Sequence, residues 1–148
     1  MRPDADKVLR GIGMSLAMNV APQMTTAFGR STAQLAAYLS LVLASQVDGL
    51  ANSLLEENRA IEALASAGAK VVADPGLRAR LAAAGAGEEL PDIRVSTLQA
   101  ANDRLRGLLI DLHSAVELTP GDAARALEEQ IWDELRESTR RRHVDPGF

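Results

Sequence analysis

The stretch from Ser31 to about Ser66, STAQLAAYLSLVLASQVDGLANSLLEENRAIEALAS, carries the longest helical pattern in the chain. A continuous helix of about 36 residues spans about 54 Å at 1.5 Å per residue. On a helical wheel Leu35, Leu39, Leu43, Val47, Leu50, Leu54 and Ile61 form one apolar stripe, and Ala37, Leu41, Ala44 and Leu55 form a second on the far side. A helix apolar on two sides needs neighbours on two sides. The pattern therefore predicts a long central helix around which the other elements pack. Gly49 lies in its middle and costs about 1 kcal/mol relative to alanine, which marks the place for a bend.

The charge distribution sharpens this reading. Between Gly11 and Val47 the sole charged side chain is Arg30, whereas from Glu56 onward acids and bases recur every few residues. Soluble monomers rarely leave large apolar patches exposed. The uncharged half is therefore read either as the buried centre of a bundle or as a contact surface. We expect a homo-oligomer, a twofold dimer, or docking on a protein partner. The contact is assigned to Met14, Met18, Ala37, Leu41 and Ala44, where small residues let helices approach closely, with Ile110 as a secondary contributor.

Helical spacing and capping signals place the other elements. Asp4 or Asp6 starts a first helix over residues 4 to 21, with Val8, Leu9, Ile12, Leu16 and Val20 in phase; Pro22 ends it. Ser31 with Gln34 and Ser96 with Gln99 match the capping box, setting helices over 31 to 66 and 96 to 118. Pro75 opens a short connective helix over 75 to 84, closed by Gly85 or Gly87. Thr119-Pro120-Gly121-Asp122 opens a last helix over 120 to 142, with Ala124, Leu127, Ile131 and Leu135 facing inward. Trp132 borders that stripe and is expected to be mostly buried, while Arg140, Arg141 and Arg142 are expected in solvent at the negative end of the helix dipole. No alternating strand pattern occurs, so the fold class is all-α: a single four-helix-bundle-like domain over 1–148 with a long central helix, a short extra helix, and loose ends at 1–3 and 143–148.

Several function classes are disfavoured. With no cysteine, thiolate metal sites, disulfides and cysteine nucleophiles are excluded. The net charge of −4 argues against nucleic-acid binding, which needs a basic surface. Residues 11 to 29 and 31 to 47 approach the length of a membrane span but contain Asn19, Pro22, Gln23, Gln34 and Gln46, so no membrane insertion is expected. The absence of cysteine and of a leader pattern fits a cytoplasmic protein, and the preference for arginine over lysine fits GC-rich bacterial coding.

No phosphate loop, nucleophile elbow or His-Glu-x-x-His pair is present, and neither histidine follows a glutamate by three residues as in di-iron bundles. No cofactor, metal or catalytic residue is assigned, and an enzyme is the less favoured reading. The one polar constellation with chemical capacity is a pocket between two helices: His113, Glu117, Asn102 and Arg106 on one, Gln46, Ser53 and Glu57 on the other. A carboxylate and an imidazole held together there would hold one metal ion, transfer a proton or bind a small polar ligand. The first expectation is thus association through the first two helices; the alternative is a ligand-binding or enzymatic bundle around His113, Glu57 and Glu117.

Overall fold

The computed structural model describes residues 4–47 and 49–143 and is all-α among them. Six α-helices occur: α1 (Ala5–Ser15), α2 (Ala27–Gln46), α3 (Leu50–Gly68), α4 (Pro75–Gly85), α5 (Val95–Glu117) and α6 (Asp122–Arg141). The pattern over 31 to 66 is therefore not one helix. It is divided between α2 and α3 at the segment containing Gly49, and the chain falls into two compact units, one up to Leu50 and one over Ala51–Arg142. The ends expected to be loose lie, apart from His143, outside the described residues.

The first unit is a helical hairpin. After α1 the helix widens into a π turn over Leu16–Val20, tightens into a 3₁₀ turn over Ala21–Gln23 at Pro22, and reverses into α2. Thr26, not Ser31, caps α2: its hydroxyl accepts from the Gly29 amide at 3.1 Å. The two helices meet along the small-residue side of α2. A Cβ on Gly13 would lie 2.8 Å from Leu41 Cγ and 3.0 Å from the Ala37 carbonyl oxygen, so only glycine allows this approach. Ala33, Ala37, Leu41 and Ala44 are buried there.

This reverses the assignment of the two stripes in the first half of the pattern. Ala37, Leu41 and Ala44 lie inside the hairpin and are not free to form a surface; Leu35, Leu39 and Leu43 are left outside, at 58, 49 and 51 % exposure. The reason is steric: backbones come closest where side chains are smallest, and Gly13 selects the alanine side. Met14 and Met18 are exposed on the hairpin's outer surface.

In the second unit α3, α5 and α6 pack around Ile61, Leu64, Leu108, Leu109, Leu112, Val116, Leu127 and Ile131, with Val72 and Leu81 completing the core. Residue contacts run from Asn58 and Gly68 of α3 to Leu98 and Leu112 of α5, so these two helices are parallel. The tight turn before α6 makes α5 and α6 antiparallel. Helix α4 braces the group. Asp74 caps it by accepting from the Leu77 amide at 2.6 Å, and Gly87, at φ +80°, follows its end. Gly85 sits so close to α3 that a Cβ would meet the Ser66 backbone at 2.7 Å. The Arg78 guanidinium donates to the carbonyls of Val72 and Ala73, fastening the α3–α4 corner.

Two start signals are read differently by the structure. Helix α5 begins at Val95, and instead of a Ser96 box the carboxylate of Asp92 accepts from the Arg94 amide and the Thr97 hydroxyl. Gly121 occupies the cap position of α6, while Thr119 turns back to donate to the Ala115 carbonyl. Trp132 is nearly half exposed, and Ile110 is exposed on α5. Among the described residues no helix is long and apolar enough to cross a membrane.

Candidate functional site

Helices α3, α5 and α6 bury a polar cluster at the end of the second unit that carries the start of α5 and the last turn of α6. Glu57 occupies a position on α3 between Leu54 and Ile61, so its carboxylate is carried inward with the apolar stripe; the residue is 4 % exposed. A buried carboxylate needs partners. Its Oε1 accepts from Arg106 Nη1 at 2.7 Å and from the Ser138 hydroxyl at 3.0 Å, and its Oε2 accepts from Arg142 Nη2 at 2.8 Å. Arg142 also reaches Asn102 Oδ1 at 3.3 Å. Asn102, fully buried, donates to Asn58 Oδ1 at 2.9 Å, and Asn58 donates to the Leu98 carbonyl at 3.1 Å. The chain of bonds links all three helices.

Beside it, Glu134 and Arg141 form a second largely buried ion pair within α6. The two carboxyls respond oppositely to their surroundings. Burial pushes the Glu57 pKa up, but the hydrogen bonds from Arg142 and Ser138 and the charges of Arg142 and Arg106 outweigh it, leaving the group below its ordinary value. For Glu134 burial is again the largest effect, and with Glu57 nearby it prevails over Arg141, so the pKa is raised. The two acids and their donors make a structural lock, with Arg106, Ser138 and Arg142 on Glu57 and Arg141 on Glu134. The Glu57 carboxylate accepts two hydrogen bonds at Oε1 and one at Oε2, all from the protein's own side chains.

The polar constellation expected from the sequence is thus divided. Glu57, Asn102 and Arg106 come together as anticipated. His113 and Glu117 lie farther along α5, about 16 to 22 Å from Asn102 at 1.5 Å per residue. Ser53 is partly buried on α3, with no hydrogen bond to the Glu57 cluster among the described residues, and Gln46 closes α2 in the first unit. Asn58, Ser138, Glu134, Arg141 and Arg142 belong to the cluster but escaped the sequence reading. Arg141 and Arg142 were expected in solvent, and instead turn inward onto acids. The signal for them was present: Glu57 and Asn58 share an apolar stripe and require donors from somewhere.

His113 occupies a different corner, between the end of α5 and the second turn of α6. Its ring meets Trp132 edge to face, with centroids 5.2 Å apart and planes at 87°. The Nε2 atom is buried without a hydrogen-bond partner. Glu117 Oε1 lies 3.6 Å from it. Glu128 of α6 completes a group whose ligand atoms all lie within 4.8 Å of one another.

No protein family model, curated protein or solved structure matches the chain.

Proposed function

We propose that this chain acts through association, and that the α1–α2 hairpin joins a second copy of itself across a twofold axis. The observation that supports this is the row Leu35, Leu39 and Leu43, spaced four apart on the outer side of α2 and each about half exposed. It lies in a stretch where Arg30 is the one charge between Gly11 and Val47. Tyr38 and Val47 widen the face on α2, and Met14 and Met18 present flexible apolar side chains from the α1 side. Monomers rarely leave contiguous apolar patches larger than about a few hundred Å² exposed, which is why a run of exposed apolar side chains of this kind points to a contact surface.

The absence of charge favours a copy of the same surface as the occupant. An isologous contact places a patch against itself, and a patch without charge meets its own image without repulsion and needs no complementary partner. The second stripe of the helix still finds a neighbour in this arrangement, though the leucine side replaces the alanine side in that role.

Light scattering on the full chain tests the reading, with a dimer mass expected at micromolar concentration. Leu39→Asp puts an unpaired charge into a dry contact and should give a monomer with unchanged helical circular dichroism. Leu41→Asp, placed inside the hairpin, should instead lose helix content. A monomer mass for the unmodified chain that persists at high concentration refutes self-association. A monomer that recovers a defined complex with another protein through the same leucines would mean that the occupant is a heterologous partner.

A further inference from the structure

The corner formed by His113, Glu117 and Glu128 lies in the second unit, apart from the Glu57 lock. Its electrostatics are unbalanced. The imidazole Nε2 is buried with no hydrogen-bond partner, and an unpartnered buried nitrogen carries an uncompensated desolvation cost. The groups that approach it are anionic. Glu117 is 3.6 Å away, Glu128 converges from the neighbouring helix, and among the described residues no arginine or lysine pairs with either carboxylate. By contrast, the buried acid of the other cluster receives two guanidiniums. Glu117 is also the last residue of α5, where the exposed carbonyls of the helix terminus add partial negative charge. Two carboxylates, a helix C-terminus and an imidazole nitrogen without a partner all favour a cation at one point.

We propose that His113 Nε2 and the carboxylates of Glu117 and Glu128 bind one divalent transition-metal cation of the Zn²⁺ class. The donor set supports that class: imidazole with carboxylate suits Zn²⁺ and its neighbours, whereas Ca²⁺ and Mg²⁺ take oxygen ligands. The geometry is close to what binding requires. Ligands about 2.1 Å from a tetrahedral ion are about 3.4 Å apart. The His113 to Glu117 separation of 3.6 Å already approximates this, and a shift of about 1 Å in a carboxylate side chain brings in the remainder. Three protein ligands leave a fourth position open to water or a small ligand.

Trp132 supplies the readout, because it is the sole tryptophan and its ring rests on the His113 imidazole. Zn²⁺ titrated into the full chain, followed by calorimetry and Trp132 emission, should bind with a stoichiometry of one and change the emission in step. Co²⁺ should compete and produce visible absorption of a low-symmetry site. His113→Ala and Glu128→Gln should each weaken Zn²⁺ at least tenfold. His143→Ala, which removes the other histidine, should leave the affinity unchanged. Glu128→Gln keeps the test valid if His113→Ala disturbs the packing of Trp132. The proposal is overturned by three results: no saturable binding, binding that survives both His113→Ala and Glu128→Gln, or binding lost in His143→Ala.

Discussion

Replacing Glu57 by glutamine keeps the shape of the side chain and removes its charge. Three donors then face a neutral amide. The bond from the buried Ser138 hydroxyl sits at the low end of the range for a charged acceptor, about 1.5 kcal/mol. The guanidiniums of Arg106 and Arg142 are 40 and 48 % exposed, so each ion pair is screened by water and counts for about 0.5 to 1 kcal/mol. The sum is a loss of about 2.5 to 3.5 kcal/mol, or about 5 to 14 °C in Tm for a chain of this length. Urea unfolding followed by Trp132 emission measures it in the unit that contains Glu57. The loss must also depend on pH. The folded pKa of Glu57 is lowered, so its contribution is complete above the unfolded value near 4.3 and disappears as pH falls through the lower folded value. Glu134, whose pKa is raised in part by the Glu57 charge, acts in the opposite sense, and Glu57→Gln relieves part of that cost above the unfolded pKa. The gap between the native chain and Glu57→Gln should be full at pH 7 and shrink below about pH 4. A gap under about 0.5 kcal/mol at pH 7, or one that stays constant into acid, would refute the account of Glu57 as a charge held by three donors.

Two further substitutions examine the packing. Ile61→Ala, at the centre of the second unit, should cost about 2 to 5 kcal/mol in urea unfolding, whereas Leu43→Ala should cost far less in the monomer because half of that side chain already faces water; equal losses would contradict the outward placement of the Leu43 row. Gly85→Ala drives a methyl into the Ser66 backbone, where no side chain can yield, and should lower Tm by several degrees despite the better helix propensity of alanine. A Tm that rises instead would show that α4 does not press on α3.

The elements bounded by strong punctuation were legible in the sequence. Pro75 with Gly85 or Gly87 marks α4, and Pro120 with Gly121 marks α6, because these residues act through their own backbone geometry and need no knowledge of neighbours. The orientation of α2 was not legible. It is apolar on two sides, and the choice between them is made by Gly13, some 24 residues earlier, through a backbone approach that no local pattern records. The division near Gly49 was visible as a weak point. The candidate site was half visible. Glu57, Asn102 and Arg106 stand out as polar residues in or beside apolar stripes, but Ser138 and Arg142 lie where a helix end reads as solvated, and only the demand of the buried carboxylate draws them in. His113 and Glu117 are four apart and easily paired, while Glu128 joins them only through the angle of the α5–α6 turn.

The Glu57 lock also orders events in time during synthesis. Arg142 follows Glu57 by 85 residues, so at about 5 to 20 residues per second the carboxylate is synthesised roughly 4 to 17 s before that arginine. Through that interval α3 and α5 carry Glu57, Asn58 and Asn102 with their α6 donor missing. Burying them early would strand a charge, which keeps this end of the unit hydrated and open while the nascent chain grows. Closure waits for the last turn of α6, because Ser138 and Arg142 supply two of the three donors to Glu57.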